Sequence, residues 1–297
     1  TSNVGALFAS YEWEGADAVV DIIHSVAGDT RPLYSAGVTI DNADSITVNS
    51  PEGDAIFQFI TGDDVTSLTL NGAGDVTVIG TLPSDLDSID ASGVDGSASI
   101  SVDDPTDPNP ALGDGPLTIV GAEGGTTLSL ANVDDGDIAS ISGAGPITLV
   151  VSGPVDLDGT DLENVETVVL AQGASLSLTV AQADEIGPDN FVLAPGATAA
   201  NLNLAGLGEE PFAIADYDPG ITVGLMSVVD QPVVTLNPAT DLTGIGGLAV
   251  PEGVTLNLTA AQFQQLTGDG TITIINTDGD AGNDAITVNI TDLTQAD

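Results

Sequence analysis

The chain has no cysteine, and Lys plus Arg together number 1. The missing thiols exclude disulfides and thiolate metal sites. With a single cation, no surface can neutralise phosphates, so nucleic acid is excluded as a partner, and attraction to an anionic membrane fails for the same reason. No apolar run reaches the roughly 18 residues needed to span a bilayer, and no basic segment precedes an apolar one, so membrane insertion is not expected. Aromatics make up only 3% of the chain, which disfavours folds built on large aromatic cores.

What is present in excess is acid. Asp plus Glu number 45, for a formal net charge of -44 over 297 residues. Charge-driven disorder also requires low hydrophobicity, whereas here 42% of the residues are hydrophobic and the mean hydropathy is +0.27. The chain is therefore expected to fold. Repulsion among so many carboxylates favours expansion unless counter-ions bind the native state. Calcium takes oxygen ligands from Asp, Asn, backbone carbonyls and water, the groups supplied here in quantity. A saline habitat would screen the same charge, because the Debye length falls to about 3 Å at 1 M salt. The chain begins at Thr1 and reads as a mature or excised segment placed outside the cell.

Residues 1 to 40 differ from the rest, holding Phe8, Tyr11, Trp13, Tyr34, the sole His (His24) and the sole Arg (Arg31). In "EGADAVVDIIHSVAG" (14 to 28), Ala16, Val19, Val20 and Ile23 fall at helical spacing and Gly28 marks a stop. This predicts a short N-terminal helix acting as a cap on a repetitive core or as an assembly segment. Residues 41 to 297 form the second region. There the pattern has period two ("SLTL", "VTVIG", "ITLVV", "VTLNL", "AITVNI"), with Thr, Ser and Asn alternating with Val, Ile and Leu between Gly, Asp, Pro and Asn. Short strands with one buried face follow from it.

Two repeats run through this region. Residues 162 to 186, "LENVETVVLAQGASLSLTVAQADEI", align without a gap on 242 to 266 at an offset of 80, and "LDSIDASGVDGSASISV" (86 to 102) is a fainter copy. A Gly-[Ala/Asp]-Gly-x-[Val/Leu/Ile]-Thr turn recurs at 72, 113, 143 and 268. Stacked strand-turn units are the consequence, and the predicted fold is all-β: a parallel β-helix, or solenoid, with coils of about 20 to 30 residues. The alternative is a row of antiparallel β-sandwich modules of about 80 to 100 residues. "TVAQADEI" and "TAAQFQQL" read as one or two helical turns closing a coil, and "VDDPTDPNPALGDG" (102 to 115) as an insertion at a corner.

The acidic clusters are the candidate metal sites. "GDAGNDAIT" (279 to 287) resembles the calcium-binding nonapeptide of the repeats-in-toxin β-roll, with Gly279, Gly282, Asp284 and Ile286 on matching positions and Asp280 where a second Gly is expected. In that family the Asp and turn carbonyls ligate calcium between successive turns. Here the motif occurs once, so Asp278, Asp280, Asn283 and Asp284 could serve either a bound ion or a plain turn. Asp103, Asp104, Asp107 and Asp114, then Asp134, Asp135 and Asp137, then Asp156, Asp158 and Asp161 are further candidates, with Asp63/Asp64 and Asp216/Asp218 as smaller pairs. None has the full spacing of an EF-hand loop, and each cluster singly reads as a solvated corner.

Catalysis finds little footing. Lyase chemistry needs a cation and a base, and only Arg31 and His24 are present, both outside the repeats. Across 40 to 297 the Gly-Ala-Gly-x-x-Thr turns, "LDSIDASG", the "LTVAQ/LTAAQ" element and "AGNDAITV" resemble the β-strand-repeat regions of bacterial secreted surface proteins: S-layer proteins, adhesins and filament-forming proteins of the RTX-associated type. The resemblance implies a non-enzymatic, extracellular, calcium-dependent structural role, with copies of the chain itself as the partner. An adhesin segment binding glycan, such as cell-surface polysaccharide, is the alternative.

Overall fold

A computed structural model describes residues 7–12, 17–21, 33–50, 53–102, 115–205, 217–225, 233–243, 247–251, 254–269, 271–275 and 286–291. The protein is a parallel β-solenoid, with short strands and only two short α-helices among the described residues. It divides into two compact units, Thr1–Val168 and Val169–Asp297.

In the first unit the chain alternates between two sheets. One holds Leu7–Glu12, Leu33–Asp41, Ala55–Phe57, Val76–Val78, Ala98–Ser101, Thr126–Leu130 and Ile147–Val151 in that order. The other holds Asp17–Asp21, Ser45–Ser50, Ser67–Gly72, Ser88–Val94, Leu117–Gly121, Ile138–Gly143 and Asp161–Leu162. The pairings between these neighbours are parallel. Antiparallel sandwich modules are thereby excluded.

Register explains the period-two pattern. Ser45 lies opposite Ser67 and Ser67 opposite Ser88, so a coil takes 22 or 21 residues, and alternate residues of each strand stack in columns along the solenoid. Ile46, Leu68, Ile89, Ile119 and Ile141 form one such column and are fully buried. Phe57, Val78, Ile100, Leu128 and Leu149 form another on the facing sheet. Each fully buried side chain of this size contributes about 1.5–3 kcal/mol, so the core can be made almost entirely of aliphatic residues. Between Ile89 and Ile119 the spacing widens, and this coil contains the Pro- and Asp-rich segment expected as a corner insertion. Residues 103–114 of it, with Asp103, Asp104, Asp107 and Asp114, lie outside the described residues.

The Gly-rich turns have a steric cause. At Gly96 an added Cβ would lie 2.6 Å from the carbonyl carbon of Gly74, and at Gly74 one would lie 2.7 Å from that of Gly53. Successive corners thus stack backbone on backbone with no room for a side chain, which is why glycine recurs at the coil period. Other corners use a left-handed residue: Asn42, Asp64, Asn132 and Asn164 have φ between 54° and 66°, a conformation that Asn and Asp tolerate better than most.

The second unit follows the same plan with Ser175–Thr179, Ala200–Ala205, Ile221–Leu225, Gly247–Pro251 and Thr271–Ile275 in one sheet, and Val233–Thr235, Thr255–Leu258 and Thr287–Ile290 in another. Leu176, Leu202, Val223 and Leu248 form its fully buried column. The two 25-residue copies, 162 to 186 and 242 to 266, each run into a helix, α1 (Val180–Ile186) and α2 (Ala260–Asp269). "LTVAQ" and "LTAAQ" encode the same capping box. The Thr179 hydroxyl accepts from the Gln182 N–H at 3.2 Å while Gln182 Oε1 accepts from the Thr179 N–H at 2.7 Å, and Thr259 and Gln262 repeat the exchange. Gln262, almost fully buried, also donates through Nε2 to the carbonyls of Asn237 and Thr240.

The N-terminal helical cap is not what forms at its centre. Asp17–Asp21 is a strand, paired in parallel with Ser45–Asn49, and the rest of residues 14 to 28 lies outside the described residues. Pairing overrides the weak helical signal: Ala18 is buried, whereas Val19, which a helix would have placed on its apolar face, is 55% exposed. The described strands before residue 41 belong to the same two sheets as those after it.

Candidate functional site

Acidic residues distant in sequence meet where two consecutive coils turn. Val133 and Val155 form a parallel bridge, the Asp156 N–H donates to the Val133 carbonyl at 2.8 Å, and the Thr160 hydroxyl donates to the Ile138 carbonyl at 2.9 Å. These contacts lay the turn 156–161 directly on the turn 134–137. Gly136, at φ +87°, folds the lower turn tightly enough for Asp137 Oδ2 to accept from the Asp134 N–H at 2.8 Å. In the upper turn Asp156 Oδ1 accepts from the Asp158 N–H at 3.2 Å. An added Cβ on Gly159 would lie 3.1 Å from Asp135 Oδ1, so the two turns touch through a carboxylate.

The electrostatics record this crowding. Partial burial raises the Asp156 carboxyl above its ordinary value of 3.8, and the charges of Asp158, Asp135 and Asp134 push the same way, against the hydrogen bond from the Asp158 N–H. Asp158 is raised by desolvation and then by Asp135, with the Gly159 N–H opposing. Asp134, Asp135, Asp156 and Asp158 thus feel one another's charge, whereas Asp137 is bonded within its own turn, to the Asp134 N–H. Asp161 stands apart, on the outer face of its strand opposite Ser140.

The donor chemistry of this corner, carboxylate and carbonyl oxygen throughout, suits a hard cation such as calcium. Among the described residues, however, no three His, Asp or Glu side chains converge as a group able to hold a metal ion by themselves. Of the other candidates, Asp63 and Asp64 sit in an exposed tight turn, and Asp218 accepts from the Gly220 N–H at 2.8 Å, a local turn bond. Asp278, Asp280, Asn283 and Asp284 lie outside the described residues, as do Asp216, His24 and Arg31. The apolar residue of the nonapeptide, Ile286, immediately precedes the strand Thr287–Ile290.

A second use of aspartate was not foreseen. Asp54 Oδ1 accepts from the Asp75 N–H at 3.0 Å, and Asp75 Oδ1 accepts from the Ser97 N–H at 2.8 Å, one coil further each time. Some corner acids therefore fasten one coil to the next. The signal was available as "GDA", "GDV" and "GSA" before strands at the coil period.

Substituting Asn at both Asp156 and Asp158 tests the crowding. A carboxyl whose folded pKa is raised contributes its stability in the protonated form, fully below 3.8, and loses it as the pH rises through the raised folded value. The double variant is expected to be more stable at neutral pH by about 0.5–1 kcal/mol, a solvent-screened magnitude. Its unfolding midpoint in urea should also vary less than the parent's as the pH rises from 3.8 through the raised folded values.

The geometry defines the protein as a parallel β-solenoid with acid-lined corners. No known family profile, curated protein or solved structure matches the chain. Among the described residues no helix is long and apolar enough to cross a membrane.

Proposed function

We propose that this is a non-enzymatic, extracellular structural protein that assembles with copies of itself into a surface layer, fibre or sheath, with calcium neutralising its Asp-rich corners. The observation that carries the reading is the corner where Asp134 and Asp135 of one coil crowd Asp156 and Asp158 of the next. Such a corner costs free energy as it stands and gains it when a divalent cation binds. Calcium takes roughly six to eight oxygens, so an ion here would combine carboxylates of two coils with carbonyl oxygens and retained water. Binding of that kind is weak site by site and effective in number, which suits a chain of formal charge -44.

Edge strands support assembly: among the described residues, strands such as Leu7–Glu12 and Thr271–Ile275 pair along one edge only. Such an edge can take up a strand of another copy, and a contact between unlike edges that does not close generates a filament. Catalysis would have to rely on carboxylates alone, or on the single His and single Arg of the whole sequence.

Size-exclusion chromatography and electron microscopy in calcium, then in chelator, test the reading. Ordered polymers in calcium that dissolve in chelator are expected. A monomer under both conditions with affinity for a glycan would favour an adhesin instead, and turnover of a polysaccharide would remove the structural reading.

A further inference from the structure

Four consecutive strands of the first unit present an uncharged outer face. Residues turned away from the core on Val76–Val78, Ala98–Ser101, Thr126–Leu130 and Ile147–Val151 stack in two columns, Thr77, Ser99, Thr127 and Thr148 in one and Ser101, Ser129 and Val150 in the next. All are half-buried, and Ile79, two residues after Thr77, is 51% exposed. None is charged, in a chain with 45 acids, and acids stand only at the borders: Asp75 at the corner, and Glu166 on the following strand of the sheet, Val165–Leu170. The other sheet of this unit is less regular. Its column Thr47, Thr69, Asp90 and Val120 holds an acid, and its register shifts between Thr69 and Asn71.

Register and bonding make this face a lattice of hydroxyls. Its three pairings run without a shift, so side chains repeat at the strand separation of about 4.8 Å along a column and at about 6.6 Å, two residues, along a strand. Elsewhere stacked polar side chains bond one another: Thr39 Oγ1 and Thr61 Oγ1 lie 2.9 Å apart, and Asn71 Nδ2 donates to Asn49 Oδ1 at 2.9 Å. Among the described residues, the hydroxyls of Thr77, Ser99, Ser101, Thr127, Ser129 and Thr148 make no hydrogen bond to the protein, which leaves them to water. Water bonded tetrahedrally at about 2.75 Å places next-nearest oxygens about 4.5 Å apart. Hydroxyls repeating at nearly that distance hold bound waters in the order of a frozen lattice.

We propose that this face binds ice. The hydroxyl columns take the places of lattice waters, while the threonine methyls, Ile79 and Val150 fill the space between them. Charge fits the same partner: ice carries none, and this face is the stretch of an otherwise strongly acidic chain that offers none in return. A carboxylate within the columns would gather a hydration shell of its own and break the order. The binding is independent of assembly and of calcium, since no acid takes part in it.

Slow freezing tests the proposal. Growing ice expels dissolved molecules, so a chain that binds the crystal is found inside it. Ice is grown on a cooled surface from a dilute solution of the parent chain and a free dye, in chelator, where the chain is expected to be monomeric. The parent should be enriched in the ice relative to the dye. Thr127→Tyr places a ring in the middle of the columns, and Thr118→Tyr places the same ring on the outer face of the other sheet. With folding of both checked by far-ultraviolet circular dichroism, Thr127→Tyr should fall to the level of the dye and Thr118→Tyr should stay at that of the parent. A parent chain expelled with the dye would overturn the proposal without recourse to any variant, and so would equal enrichment of the two variants. Binding of the parent to crystalline polysaccharide with no enrichment in ice would overturn it too, and assign the face to a glycan surface.

Discussion

Replacing Ile119 with aspartate is expected to prevent the first unit from folding. Ile119 is fully buried, with Ile89 and Ile141 directly before and after it in the column. Losing the aliphatic side chain alone costs about 2–5 kcal/mol. A buried carboxylate adds an effective penalty of several kcal/mol, and the described residues include no Lys, Arg or His to offset it. The sum reaches the whole stability of an ordinary domain, about 5–15 kcal/mol. Thr118→Asp, one residue earlier on the outer face, is the control. Its column already runs from Thr118 through Ser140 to Asp161, so an acid is accommodated there, and the expected change is within about 0.5 kcal/mol. Far-ultraviolet circular dichroism and urea unfolding of the two variants give the contrast. Equal stability would mean that the strands do not alternate between core and solvent as described.

Removing divalent cations should produce the second large effect. Anything that binds only the folded chain stabilises it by mass action, about 2.7 kcal/mol for one site at a hundredfold excess over its dissociation constant. For chains of this size each kcal/mol moves the melting midpoint by about 2–4 °C. One calcium-binding corner therefore accounts for a shift of about 5–10 °C between calcium and chelator, and several corners for more. The Asn substitutions at Asp156 and Asp158 should reduce the shift while raising the midpoint in chelator, because they remove the repulsion together with the ligands. Differential scanning calorimetry at matched ionic strength measures both. A midpoint indifferent to calcium would leave the acid corners as solvated turns.

Much of the fold was legible because its determinants are local and repeated. Alternating Val/Ile/Leu with Thr/Ser/Asn gave the strands, since a strand with one buried face can have no other period. The "LTVAQ" and "LTAAQ" elements gave the two helices, since Thr and Gln three apart complete a capping box without help from the rest of the molecule. The strand Asp17–Asp21 was misread for the opposite reason. Ala16, Val19, Val20 and Ile23 happen to fall at helical spacing, and only the partner strand Ser45–Ser50 decides that Ala18 goes inside and Val19 outside.

The acid corner shows the same limit. Asp134, Asp135, Asp156 and Asp158 were all singled out, but as two separate clusters. Their union depends on the coil length, and an offset of 22 between "VDDGDI" (133 to 138) and "VDLDGT" (155 to 160) would have joined them. The longer offset of 80 hid this shorter period, because the coils between the two copies differ in length. Aspartates that fasten one coil to the next through a backbone N–H were equally hidden, since acidity alone does not separate a turn bond from a cation ligand.

Sedimentation velocity distinguishes cation bridging from simple screening of charge. The chain is compared in millimolar calcium and in sodium chloride of the same ionic strength, followed by chelator. Calcium-bridged assembly predicts large, chelator-reversible species in calcium and monomer in sodium chloride. The same distribution of species in both salts would contradict it.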